Sequence, residues 1–452
     1  MFINRDSEIQ SLKKALKMGK KILLKGKRGI GKSALMKKVL EELEAEGIRT
    51  LSLDCQRVSM PSRLLLKLSE KTGRDVTISE NPYEVLETLF RISMEEGISV
   101  IFFDEFTYLV RDFSRRSPYR GSESVIAHLR SLISEFEGGV VFASSTLLSL
   151  SKLVRGYERR MARMFDVVFK LENLTLSDTL KIIKGYGVPD NDAVILVEAS
   201  DGVPFYAESL ALSYLRVKNP EETVIEELTR GALSEYFRAI YTDLPIAARR
   251  ILEILATGPK TYQTLVREIA DDTLPFALKY LLELDFIGKI KKQKTAIYYL
   301  KDKLLGIWVR IYTEEIRDSA FVAKLLPLAF ESLIRELFLS IKREIEITDY
   351  QGKKLVFGPV ERVEHLRLGD IEINLLAHDE KGRILVGEIT MGSPQKKIQQ
   401  LNKVIKALKD KLGISPTYTV LISYFQGIKS DHIVLTRKEL NSIAKKIGFR
   451  PI

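Results

Sequence analysis

The chain has 452 residues, 45% hydrophobic and 29% charged, with a formal charge of +11; at roughly 100 to 200 residues per domain this predicts about three domains, each with its own core. No apolar run approaches the roughly 18 residues that span a bilayer, and the opening MFINRDSEIQ lacks a signal-peptide pattern, which predicts a cytoplasmic protein without a membrane partner. The single cysteine, Cys55, excludes a disulfide framework, four scattered histidines offer no zinc site, and the basic excess favours acidic partners such as nucleic acid, tempered by 60 carboxylates.

In chain order, residues 1–171 alternate helical and strand patterns and predict an α/β fold with a mostly parallel sheet. Ile9, Leu12, Ala15 and Leu16 mark one helical face. KILLKG, RTLSLD, SVIFFDE, GVVFASS and VVFKL read as short buried strands, and a helix from about Lys32 turns Leu35, Met36, Val39, Leu40 and Leu43 inward. Residues 172–240 lose the strand signal and predict a helical lid, broken at DGVPFYAESLAL. Residues 241–300 give three short helical patterns and then strand, basic turn and strand in FIGKIKKQKTAIYYL, the order of a winged helix. Residues 301–324, with Trp308 and Tyr312, predict a connecting helix, and 325–452 a second, smaller α/β domain.

The chemistry is most legible at GKRGIGKS. Gly26, Gly31, Lys32 and Ser33 have the GxxxxGKS spacing between a strand and a helix. Glycine-permitted turns aim consecutive amides at phosphate oxygens, and the helix dipole adds to them. The stretch Gly26, Lys27, Arg28, Gly29, Ile30, Gly31, Lys32, Ser33 and Ala34 is therefore a candidate binding loop for ATP or ADP. Lys32 would contact the β and γ phosphates and the Ser33 hydroxyl would ligate magnesium. The strand SVIFFDE ends in Asp104, a second candidate for holding magnesium, and Glu105, a candidate general base for an attacking water. Ser145, after VVFA, could place a hydroxyl near the γ phosphate, and Arg160 and Arg163 could bring positive charge to it in cis or from a neighbouring subunit.

With these motifs the chain resembles archaeal AAA-like ATPases of the signal-transducing type with numerous domains, many of which carry a C-terminal restriction-endonuclease-like domain. The matching residues are FINRDSE, GKRGIGKS, IFFDEF, FASS and GVPFY. The resemblance implies that Arg5 lies near the adenine and that Pro204 and Tyr206 pack near the nucleotide and report its state. The motifs together lead to magnesium-dependent ATP hydrolysis driving a conformational or assembly switch, with DNA, a protein partner or a homo-oligomer as candidate partners; the alternatives are a nucleotide-regulated scaffold or DNA-binding protein with little turnover, and an ATP-linked DNA nuclease.

Two segments could meet DNA. The third helix of the winged-helix segment is too acidic for base reading, whereas Lys289, Lys291, Lys292 and Lys294 in the wing suit phosphate contact. The helix carrying Lys396, Lys397, Lys403, Lys406 and Lys409 is a second basic surface. In the restriction-endonuclease-like pattern, Glu336, Glu372 and Glu388 match acidic positions, but Asn374 stands where an aspartate is expected and Thr390 where a lysine is expected. Those departures predict a nuclease-like domain without cleavage, which only Asp370 with Lys396 or Lys397 could restore.

Overall fold

The structure is a computed structural model describing residues 5–56, 61–116, 122–144, 164–269, 272–292, 295–314, 328–368, 371–390, 393–424 and 427–449. Two compact units each join two separated stretches: Met1–Asn173 with Asp243–Asp302, and Leu174–Thr242 with Lys303–Ile452.

The first unit opens with α1 (Asp6–Lys17), β1 (Lys21–Lys25), α2 (Lys32–Ala45), β2 (Thr50–Asp54), α3 (Ser62–Thr72), α4 (Pro82–Glu95), β3 (Val100–Asp104), α5 (Phe106–Arg116), α6 (Ser122–Glu135), β4 (Gly139–Ser144) and β5 (Val167–Lys170). The five strands are all parallel in the order β2-β3-β4-β1-β5. Successive side chains of a strand face opposite sides, so a strand covered on both faces reads as a continuous apolar run. Leu23, Ile101, Phe103, Val140 and Phe142 pack on one side with α3 to α6. Ile22, Leu24, Val100, Phe102, Val141 and Ala143 pack on the other with α1 and α2. Both layers leave the carboxyl ends of β1 and β3 pointing to one edge, where an open α/β sheet takes its ligand.

The chain then builds part of the second unit from α7 (Leu176–Gly185), α8 (Asp190–Ser200), α9 (Pro204–Val217), α10 (Pro220–Thr229) and α11 (Ala232–Asp243). Thr175 and Asn219 cap α7 and α10 through their side chains, and Pro204 and Pro220 occupy first turns, where no amide is lost.

Returning to the first unit, α12 (Ile246–Ala256), β6 (Lys260–Thr261), α13 (Tyr262–Ile269), α14 (Leu274–Glu283), β7 (Ile287–Lys292) and β8 (Thr295–Leu300) give the order helix, strand, helix, helix, strand, strand. Their strands form an antiparallel sheet β6-β8-β7.

The rest of the second unit comprises α15 (Lys303–Glu314), α16 (Leu328–Leu339), β9 (Ile345–Thr348), β10 (Lys354–Phe357), β11 (Val360–Leu368), β12 (Ile371–Asp379), β13 (Ile384–Thr390), α17 (Pro394–Leu412), β14 (Tyr418–Ser423), β15 (Ile433–Leu435) and α18 (Arg437–Ile447). The sheet β11-β12-β13-β14-β15 is antiparallel through β13 and parallel beyond it, a second α/β arrangement. Leu401, Val404 and Leu408 of α17 cover Ile373, Leu376 and Val386. The segment read as a connector contains a packed core helix: Trp308 of α15 stacks on Tyr312 at 4.8 Å between ring centres and meets Phe237 and Tyr241 of α11. Among the described residues no helix is long and apolar enough to cross a membrane.

Candidate functional site

The loop from β1 to α2 is shaped by glycines. Gly29 and Gly31 have φ of 81° and 93°, a left-handed conformation that costs a side-chain-bearing residue stability. At Gly26 a Cβ would stand 3.0 Å from Ile30 Cγ2 and 3.1 Å from the Leu171 carbonyl oxygen, so the loop closes directly over the β5 end. Lys32 follows, buried, with its Nζ donating to the carbonyls of Gly26 at 2.9 Å and Lys27 at 3.3 Å. Burial lowers the pKa of its ammonium, while Glu105 and Asp104 oppose that shift.

Across the sheet edge, Ser33 Oγ donates to Asp104 Oδ2 at 2.5 Å. The Asp104 carboxylate also accepts the Glu105 amide at 3.0 Å. Burial raises the Asp104 pKa, and the Ser33 hydrogen bond works against that rise. Glu105 has a φ of 47°, rare for a residue with a Cβ; such strain persists where surrounding structure fixes it and is concentrated at functional sites. Beside them the Cys55 thiol has its pKa pushed well up by burial and by the carboxylates Asp104, Asp54 and Glu105, which makes it a poor nucleophile.

Two more loop contacts follow. Lys27 Nζ pairs with Asp302 Oδ2 at 2.6 Å, with side chains 7% and 2% exposed, joining the phosphate loop to the residue just after β8. Arg5, which the resemblance places near adenine, is buried and donates to Glu8 at 3.0 Å and to the Glu172 carbonyl at 2.7 Å. Arg28, Ser33 and Ala34 are exposed on the loop and the helix start. Pro204 and Tyr206 lie in the second unit, where Tyr206 is fully buried against Phe205, Tyr236 and Phe237 as part of an aromatic core. Ser145, Arg160 and Arg163 lie outside the described residues, as does Asp370, and so do the side chains of Lys291, Lys292 and Lys294. Lys289 is described, with its Nζ 5.5 Å from the Tyr298 ring centre.

The second unit holds another polar cluster. Lys397 Nζ donates to Glu388 Oε2 at 3.0 Å and lies 3.4 Å from Asn374 Oδ1. Asn374 Nδ2 donates to Glu331 Oε1 at 2.6 Å, and Arg335 Nη1 reaches Glu331 at 3.4 Å and the Asn374 carbonyl at 2.7 Å. On α16 it is Glu331 that accepts from Asn374, paired with Arg335 one turn along the same helix; Glu336, the glutamate matched to the pattern, is half-buried on that helix. Burial raises the Glu388 pKa to about 7 against the pull of Lys397, and burial with repulsion from Glu331 raises that of Glu198 on α8 to about 8. On α17 Lys397 turns inward, whereas Lys396, Lys403, Lys406 and Lys409 are exposed. Asp302, Glu331 and Glu198 carried no motif, so only their packing reveals them.

The phosphate-loop geometry agrees with a comparison of sequence families, in which residues 18–150 match the model of an AAA domain. No curated protein matches the chain in sequence. Among solved structures, the ORC2 protein of Aeropyrum pernix in its ADPNP-ADP complexes is similar at 15% identity over 74% of this chain and 95% of that one, with a TM-score of 0.47. The ORC1 protein of the same organism in complex with DNA is similar at 18% identity over 72% of this chain and 95% of that one, with a TM-score of 0.39. Domain III of the Thermotoga maritima replication initiation protein DnaA gives 15% identity over 50% of this chain and 92% of that one, with a TM-score of 0.35. At those scores the likeness bears on neither activity nor partner.

Proposed function

We propose that the protein binds ATP with magnesium at residues 26 to 34 and hydrolyses it to drive a conformational switch. The observation that carries this reading is the Ser33–Asp104 hydrogen bond, which brings the end of the phosphate loop and the end of β3 to one point. A hydroxyl and a carboxylate fit magnesium, an ion that keeps several waters and takes few protein ligands. Ser33 and Asp104 would hold it, and when bound it would neutralise phosphate charge. Lys32, whose Nζ donates to the Gly26 and Lys27 carbonyls, would reach the β and γ phosphate oxygens. Glu105, held beside Asp104, would orient the attacking water and accept its proton.

The element order of residues 243–302 supports reading them as a winged helix, tied to the loop through Asp302 and taking the nucleotide state to a protein or DNA partner. In the second unit, α16, the sheet strands β11, β12 and β13, then α17 and the parallel strand β14 support a restriction-endonuclease-like reading, with Asn374 and Thr390 supporting a domain that does not cleave. The test is nucleotide binding and turnover. Lys32→Ala should abolish ATP binding, and wild-type-like binding by that variant would overturn the reading.

A further inference from the structure

A nuclease-like reading of the second unit would place a divalent metal ion between Glu388 and position 374. The described residues do not fit one. Among the described residues no three of His, Cys, Asp and Glu converge as a metal ligand set. Position 374 supplies an amide rather than a carboxylate, and an ammonium already stands between it and Glu388. We propose that Lys397 is the resident cation of the pocket formed by Glu331, Asn374 and Glu388, a tethered ammonium in the place of a metal.

Three observations support this. Glu388 is fully buried, its Oε2 accepts from Lys397 at 3.0 Å, and among the described residues its Oε1 has no hydrogen-bond partner, so Lys397 is the cation this carboxylate meets. A buried carboxylate without a counter-charge is costly, which makes Lys397, 25% exposed, a structural necessity rather than a surface lysine. Second, Lys397 faces Glu388 and Arg335 faces Glu331, so a divalent ion would enter against two cations already seated among these carboxylates. Third, Asn374 has to act in two directions, its oxygen toward Lys397 and its amide nitrogen toward Glu331 at 2.6 Å. An aspartate there would accept from Lys397 but would set like charges against each other at Glu331. The departure at position 374 and the inward turn of Lys397 are thus parts of one arrangement, and the exposed lysines of α17 are not substitutes for it.

The experiment measures manganese bound by the intact chain, without nucleotide, by electron paramagnetic resonance. The Glu388→Gln variant is the control that separates this pocket from the phosphate loop. Glu388→Gln is expected to leave the manganese bound by the wild-type chain unchanged. Asn374→Asp/Lys397→Ala is expected to gain one further bound ion, which adding Glu388→Gln removes. A Glu388-dependent ion in the wild-type chain would overturn the proposal, as would a folded double variant that gains none. Should the double variant fail to fold, thermal unfolding of Lys397→Met decides. Its melting temperature is expected to fall by several degrees, while manganese leaves the wild-type temperature unmoved. An unchanged melting temperature for Lys397→Met, or a wild-type rise with manganese that Glu388→Gln abolishes, would overturn it.

Discussion

Lys27 of the phosphate loop and Asp302 at the end of β8 form an ion pair of 2.6 Å in which both side chains are almost wholly buried. Removing one partner of a buried pair leaves the other charge in an apolar setting and typically costs about 3 to 5 kcal/mol, whereas replacing both with apolar groups is often neutral. Asp302→Ala is therefore expected to destabilise the first unit by an amount in that range and to weaken nucleotide binding through displacement of the loop. Lys27→Met/Asp302→Leu should recover most of the stability. Thermal unfolding of the three proteins checks this, and a double variant no better than Asp302→Ala would contradict it.

Glu105 gives a separation of binding from chemistry. Glu105→Gln keeps the size and the left-handed backbone but loses the base, so ATP affinity should stay within about threefold while turnover falls on the order of 100-fold or more. Single-turnover hydrolysis set beside equilibrium nucleotide binding measures both. Equal turnover in variant and wild type would remove Glu105 from the proton transfer.

Gly26→Ala tests the loop geometry. The added methyl would press on Ile30 and on the Leu171 carbonyl, backbone that cannot move aside alone. A loss of about 1 to 3 kcal/mol in stability is expected from such overpacking, together with weaker nucleotide binding. Ala34, exposed one turn into α2, should accept serine with little effect on stability.

The pH dependence of the second unit follows from Glu198, whose pKa in the folded protein is raised to about 8 from 4.5. A raised acid binds its proton more tightly in the folded state. Its stabilising contribution is complete below the unfolded value and is lost as pH rises through the folded one. Relative to the wild-type chain, Glu198→Gln should gain stability with each step from about pH 4.5 to about 8, by at most about 1.4 kcal/mol per pH unit, and stay level above that. Denaturant unfolding across this range reads the difference directly; parallel pH profiles for the two proteins would exclude the raised carboxyl.

Much of the first unit was legible because its signals are local. A buried parallel strand must be a short apolar run, so β1, β3 and β4 could be read from KILLKG, SVIFFDE and GVVFASS, and the glycines of GKRGIGKS mark backbone that other residues resist. Helix α16 was harder to read. Only Glu336 was named there from the sequence, and packing against β12 brings Glu331 to Asn374. Likewise no pattern distinguishes Lys397 from Lys396, because adjacent positions on a helix differ in direction by about a quarter turn and only the sheet beneath decides which one points inward.

By itself, the sequence determined the strand–loop–helix that can receive phosphate, the acidic end of β3, and the uncharged residues Asn374 and Thr390, because each is a matter of residue type at a short spacing. Tertiary structure alone decided that Ser33 meets Asp104, that Lys27 is buried against Asp302, and that Lys397 lies between Glu388 and Asn374. These partners stand 71, 275, 9 and 23 positions apart along the chain. Their meeting is set by which strands pair and which helix faces are buried, and neither is written in any one stretch of residues.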